Sequence, residues 1–209
     1  MIEREMAHEP AETDDELLTR LRRGDEAAFV ALYRRRQGAI YRFAMHMSGS
    51  PTAAEDITQE VFLVLLRREC GFDAARGTLS GYLFGIARKL VLRNLERGRS
   101  DVALETEADD AASPELAVID DPLIDLTRRE GIEALRRAVM ALPRRYREVV
   151  LLCDLEELDY ADAAAVLRCP IGTVRSRMHR ARGLLFEKLN QDRNPRLAVG
   201  PWKPMRVAI

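Results

Sequence analysis

Residues Tyr160–Leu189 read YADAAAVLRCPIGTVRSRMHRARGLLFEKL, a short helix, a tight break and a second helix with two faces. On the second helix Val174, Met178, Ala181 and Leu185 recur at i, i+4, i+7 and i+11, which makes one apolar stripe. The other surfaces carry Arg175, Ser176, Arg177, His179, Arg180 and Arg182, more cation than solubility requires. Upstream, Ala161, Ala164, Ala165 and Leu167 give a small-residue helix that a neighbouring helix can approach closely. Pro170 lacks an N–H and suits the first turn of the next helix. Gly172 is expected to relieve crowding there, and Thr173 to cap. The pattern predicts a helix-turn-helix whose second helix enters a DNA major groove.

The rest of the composition bounds the frame. A chain of 209 residues fits one sizeable domain or two small ones, and 47% apolar content is enough for a core. The formal net charge is only −1, so the chain as a whole is no basic nucleic-acid glue. Its charge is segregated instead. Between Asp101 and Glu130 stand ten acids against Arg128 and Arg129, a net of −8, while the helix-turn-helix is strongly positive.

Cys70, Cys153 and Cys169 are few, odd in number and widely spaced, with no CxxC pair and no grouping with His8, His46 or His179. Reduced thiols in a cytosol are expected, with no metal site and no cofactor. The start of the chain is acidic and polar, unlike a signal peptide, and no apolar run approaches a membrane span. A cytoplasmic protein is predicted.

Nearly every segment reads as helix, and none alternates convincingly as a strand. Residues 1–13 are expected to be disordered. Asp14, Asp15 and Glu16 open a short helix that Gly24 stops. Asp25 caps a longer one carrying Ala28, Phe29, Leu32, Tyr33, Ile40, Phe43 and Met47. Ser50-Pro51 is a start signal for a third helix to about Arg68, with Ile57, Val61, Phe62, Leu65 and Leu66 inward. After a loop from Cys70 to Leu79, a fourth runs from about Ser80 to Arg97, with Leu83, Ile86, Ala87, Leu90 and Asn94 on one face. Residues 14–99 thus make a helical bundle, and 100–127 a flexible, self-repelling acidic linker.

A second helical unit begins near Leu126, and its domain is placed at 128–190. Ile132, Leu135, Val139 and Leu142 define its first helix. Pro143 opens another, with Tyr146, Val149, Val150 and Cys153 inward. The tail 191–209, with Trp202 and three prolines, is expected to be disordered. The predicted fold is all-α, two small helical domains joined by the acidic linker.

Two further motifs, in order before the helix-turn-helix, carry a family resemblance. They are AAEDITQEVFLVLLRR (Ala53–Arg68) and GTLSGYLFGIARKLVLRNLERGR (Gly77–Arg99). Over about Asp14–Leu189 the chain resembles bacterial RNA polymerase sigma factors of the compact extracytoplasmic-function group, which keep only regions 2 and 4. The first motif looks like region 2.2, which docks on the clamp of the polymerase β′ subunit. Asp56, Gln59 and Glu60 share one helix face, turned from Ile57, Val61 and Leu65, and would suit an Arg-rich partner helix. A merely solvated face is the alternative.

The second motif looks like regions 2.3 and 2.4, which in the family recognise the minus-10 element and hold a flipped base. Arg88, Lys89, Arg93 and Arg97 suit phosphate, and Tyr82 offers a stacking surface. The family usually has tryptophan at Tyr82 and asparagine at Lys89. Tyr82 is open between core and ligand-facing roles. The helix-turn-helix looks like region 4.2. That resemblance makes Thr173, Arg175, Ser176, Arg177, His179, Arg180 and Arg182 the candidates for the minus-35 element. Arg177 and Arg182 are expected at phosphate or in structural contacts, and His179 stands open between a contact and an uninvolved side chain. Arg168 departs from the glycine or asparagine common in the family and is expected to need a left-handed backbone, which leaves open a distorted turn or an added phosphate contact.

The function implied is that of a dissociable initiation subunit, with core RNA polymerase and promoter DNA as partners. No enzyme activity and no membrane association are implied. Family members are commonly held by an anti-sigma factor, so such a partner is a candidate. The alternatives are a helix-turn-helix regulator that does not dock on polymerase, and a nuclease using Asp56 and Glu60 with Mg²⁺. The first would need a ligand pocket or a dimerisation face, which the sequence does not offer. The second lacks converging ligands from other elements.

Overall fold

Short polar residues set the helix boundaries of this chain. Thr13 accepts a hydrogen bond from the Glu16 N–H, while the Glu16 carboxylate accepts from the Thr13 N–H at 2.8 Å. This reciprocal cap opens α1 (Asp14–Arg22) and holds the Glu16 carboxyl below its usual range. Gly24, at φ +90°, breaks the helix. Asp25 then accepts from the Ala27 and Ala28 N–H groups and opens α2 (Glu26–Ser48). Ser50 does the same for α3 (Pro51–Leu66), with Pro51 in the first turn. A 3-10 turn (Ala74–Arg76) leads into α4 (Leu79–Val102).

The computed structural model describes residues 12–67, 71–102 and 122–193. The chain divides into two compact units with the boundary between Ala111 and Ala112. In the first, α1, α3 and α4 all pack on α2. Leu17, Leu32, Ile40, Phe43, Ile57, Val61, Leu65, Leu83, Phe84 and Val91 are buried, and the Phe43 and Phe84 rings meet edge to face. Asp14 ties α1 to α2 through Arg35 at 2.8 Å and Arg36 at 2.5 Å. Two inward expectations fail here. Leu66 is exposed, with Leu63 beside it. The buried face of α4 is Leu79, Leu83, Phe84, Ala87 and Val91, with Asn94 exposed.

The second unit contains α5 (Pro122–Met140), α6 (Arg144–Val150), a π-helical turn (Leu151–Leu155), α7 (Tyr160–Leu167) and α8 (Ile171–Arg193). Val139 and Leu142 are buried as expected, but Ile132 and Leu135 are exposed. The Arg147 guanidinium donates to the carbonyls of Met140 and Leu142, satisfying the C-terminal end of α5. Asp159 accepts from the Asp162 N–H at 2.7 Å and caps α7.

Two boundaries differ from expectation. Helix α4 continues to Val102 and α5 begins at Pro122, so the segment expected as linker has helix at both ends. Both expectations of disordered tails fall almost wholly outside the described residues, as does Cys70. Among the described residues no strand occurs.

Candidate nucleic-acid interface

Helix α8 is positioned by its apolar stripe. Val174, Met178 and Ala181 are buried against the rest of the second unit, at the spacing read from the sequence. Helix α7 supplies Ala163, Ala164, Val166 and Leu167 to that core, while Ala161 and Ala165 face solvent. The turn between the two helices holds Arg168 at φ +52°, ψ +50°, the left-handed conformation expected there.

The start of α8 differs from the sequence reading. The Pro170 carbonyl accepts from the Thr173 and Val174 N–H groups and α8 begins at Ile171, so Thr173 lies inside the first turn rather than at the cap. Among the described residues Gly172 relieves no crowding. A Cβ there would have no described atom within 4 Å.

With the stripe fixed, the opposite face follows. Arg175, Ser176, His179 and Arg180 are exposed, and Thr173 and Arg177 are half-buried. Ser176 Oγ donates to the Thr173 carbonyl at 3.0 Å, and its oxygen keeps the capacity to accept. Arg180 also reaches the Tyr146 hydroxyl and, with Arg145 over the ring at 4.8 Å, holds that phenol below its usual range. Arg182 stands apart from this group. It pairs with Asp154 of the π-helical turn at 2.7 Å, an interaction that raises its own pKa.

In the first unit the loop before α4 buries Phe72, whose ring lies 5.6 Å from that of Tyr82. Arg22 of α1 donates to the Phe72 carbonyl at 2.8 Å, so a contact fifty residues away in sequence fixes this aromatic pair. Tyr82 is half-buried. At about 100° per residue, Tyr82, Lys89, Arg93 and Arg97 fall along one stripe of α4, and the three cations are exposed. Arg88 is half-buried and about a third of a turn away from that stripe.

On α3, Asp56 and Gln59 are exposed and Glu60 is half-buried, 3.7 Å from Arg67. A groove of about 410 Å³ between α2 and α3 adjoins them, lined by Tyr33, Arg34, Gln37, Tyr41, Glu55 and Gln59 among others. Leu63 and Leu66, 52% and 47% exposed, continue the same face at i+7 and i+10 from Asp56. Sequence reasoning placed Leu66 in the core and passed over Leu63; the signal was their spacing from Asp56.

Among the described residues no three His, Cys, Asp or Glu side chains gather to hold a metal ion. Burial pushes the Cys153 thiol up to about 11, which suppresses its nucleophilic form. No helix among the described residues is long and apolar enough to cross a membrane.

Comparison with known proteins agrees with the order of these elements. Residues 32–100 match the family description Sigma-70 region 2, and residues 132–185 match Sigma-70, region 4. The chain is 34% identical to the ECF RNA polymerase sigma factor SigE of Mycolicibacterium smegmatis over 79% of its own length and 64% of that relative's. It is 33% identical to the RNA polymerase sigma-H factor of Pseudomonas aeruginosa, over 85% of this chain and 94% of that one. Among solved structures, the sigma factor RpoE of Bartonella quintana, in complex with the anti-sigma factor NepR, aligns with a TM-score of 0.64. That alignment has 25% identity and covers 78% of this chain and 98% of that one.

Proposed function

The chain belongs to the sigma-70 family, as an RNA polymerase sigma factor of the extracytoplasmic-function type, and from that premise we propose how its two units divide the work of initiation. The first unit docks on core polymerase through α3 and meets the minus-10 element through α4. The second reads the minus-35 element through α8. Sigma factors are initiation factors rather than catalysts, and binding energy alone does the work. The partners are core polymerase, at the clamp of its β′ subunit, and promoter DNA. An anti-sigma factor is a third candidate partner, since the Bartonella relative is held by one. The protein acts in the cytoplasm, where polymerase and chromosome are.

The observation that carries this reading is α8 itself. Its buried stripe fixes which way the helix faces, and the opposite side gathers Arg175, Ser176, His179 and Arg180. A guanidinium there can chelate the O6/N7 edge of guanine, worth about 1–3 kcal/mol of discrimination per base pair. Tyr82, held by Phe72, is the stacking surface for an unpaired base, and Lys89, Arg93 and Arg97 track the strand's phosphates. Stacking and charge offset an unstacking cost of a few kcal/mol.

On α3 the carboxylates and amide of Asp56, Gln59 and Glu60 meet basic side chains of the clamp, and Leu63 and Leu66 supply the apolar part of that contact. The test is reconstituted transcription with purified core polymerase and this chain on a genomic fragment library. Initiation at start sites sharing two spaced elements is the expected result. Folded, inhibitor-free protein that supports no start site refutes the proposal.

A further inference from the structure

Arg168 stands in the turn between α7 and α8 in the left-handed conformation, φ +52° and ψ +50°. That conformation is unfavourable for a residue with a Cβ and costs glycine nothing. Its backbone N–H bonds to the carbonyls of Ala164 and Ala165, contacts that glycine would make equally well. Its side chain is exposed and makes no hydrogen bond or ion pair with the described residues. Among the described residues, therefore, nothing offsets the choice of arginine here.

Strain by itself does not single this residue out. Glu157, at φ +55°, is equally strained and exposed at the other end of α7. Charge and place separate the two. Arg168 is a cation three residues before the first residue of α8, the end of a recognition helix that enters the groove, while the preceding helix crosses the backbone. Between Arg168 and the first turn of α8, Pro170, Ile171 and Gly172 are exposed too.

We propose that Arg168 is a DNA phosphate contact, gripping the backbone beside the groove that α8 enters. It would fix the register of the second unit on the promoter without reading sequence. This inference rests on the assignment of α8 to promoter DNA.

The test is a salt titration of promoter affinity, using holoenzyme reconstituted from core polymerase and the full chain. Wild type is compared with Arg168→Gly, Arg168→Asn, Arg168→Lys and Glu157→Gly. Glycine and asparagine both accept the left-handed backbone and carry no charge. They are expected to weaken binding about 5–10-fold at about 0.1 M salt and to flatten the log–log salt slope by about 0.9, the signature of one lost phosphate. Lysine keeps the charge and is expected within about twofold of wild type with the slope intact. Glu157→Gly relieves the same strain and is expected to leave affinity and slope unchanged.

Wild-type affinity and slope in Arg168→Gly and Arg168→Asn would overturn the proposal. So would an Arg168→Lys loss as large as theirs, which would make the position structural. An Arg175→Ala/Arg180→Ala variant separates the two levels. If it too binds as wild type, the assignment of α8 falls; if it weakens and Arg168→Gly does not, only the phosphate contact falls.

Discussion

Helices α3 and α8 each turn a face to solvent, and the chemistry of the two faces differs in kind. On α3 the face runs from Asp56, Gln59 and Glu60 to Leu63 and Leu66, carboxylate and amide giving way to bare leucine. On α8 it is Arg175, Ser176, His179 and Arg180. Exposed leucine gains nothing from a phosphate surface but packs well in a protein interface. Two exposed guanidinium groups with a hydroxyl and an imidazole between them suit phosphate and guanine edges. On the proposed reading the two faces meet different partners, a protein at α3 and DNA at α8.

The most disruptive way to sharpen this contrast is charge reversal on α3. Asp56→Arg with Glu60→Arg is expected to weaken core polymerase binding about 100-fold or more, because like charges would face a basic clamp. Binding of the free chain to a minus-35 duplex should not change. Equilibrium titration of both partners checks this.

Next comes Arg180→Ala, expected to cost about 1–3 kcal/mol at one base pair of the upstream element and to relax preference there. A substitution series along that element, read by competition binding, locates the pair. Core affinity should stay at the wild-type value.

Leu63→Ser with Leu66→Ser is expected to lower core affinity about tenfold. Both side chains already face water, so thermal unfolding should shift by no more than about 0.5 kcal/mol per substitution. If melting falls sharply and core affinity does not, the leucines belong to the fold and the contrast with α8 loses its apolar half.

The smallest effect is expected from Arg182→Ala. Its pair with Asp154 is largely exposed, so about 0.2–1 kcal/mol of stability should go, seen in urea unfolding. DNA affinity should change less than for Arg180→Ala.

The contrast also tracks what the sequence makes legible. The stripe of α8 was readable because Val174, Met178 and Ala181 repeat at helical spacing and all three are buried. Thr173 misled because Pro170 itself provides the first accepting carbonyl, which moves the helix start upstream. Leu66, Ile132 and Leu135 sit at inward spacing and are nonetheless exposed, for one reason. Periodicity finds an apolar residue but cannot say whether its neighbour lies within the chain.

The left-handed turn at Arg168 follows from the resemblance, because the family often has glycine or asparagine there. The pairing of Phe72 with Tyr82 was beyond local pattern. It depends on Arg22, a partner fifty residues away. The π-helical turn Leu151–Leu155 likewise has no local signature that separates it from an ordinary helix end.

One titration tests the division of faces most directly. Core polymerase, without DNA, is titrated against wild type, Asp56→Arg/Glu60→Arg and Arg175→Ala/Arg180→Ala, all shown folded by circular dichroism. Two separate faces predict that docking is lost in the first variant and retained at wild-type affinity in the second. Equal loss in both variants, or in neither, would contradict the assignment of α3 to polymerase and α8 to DNA.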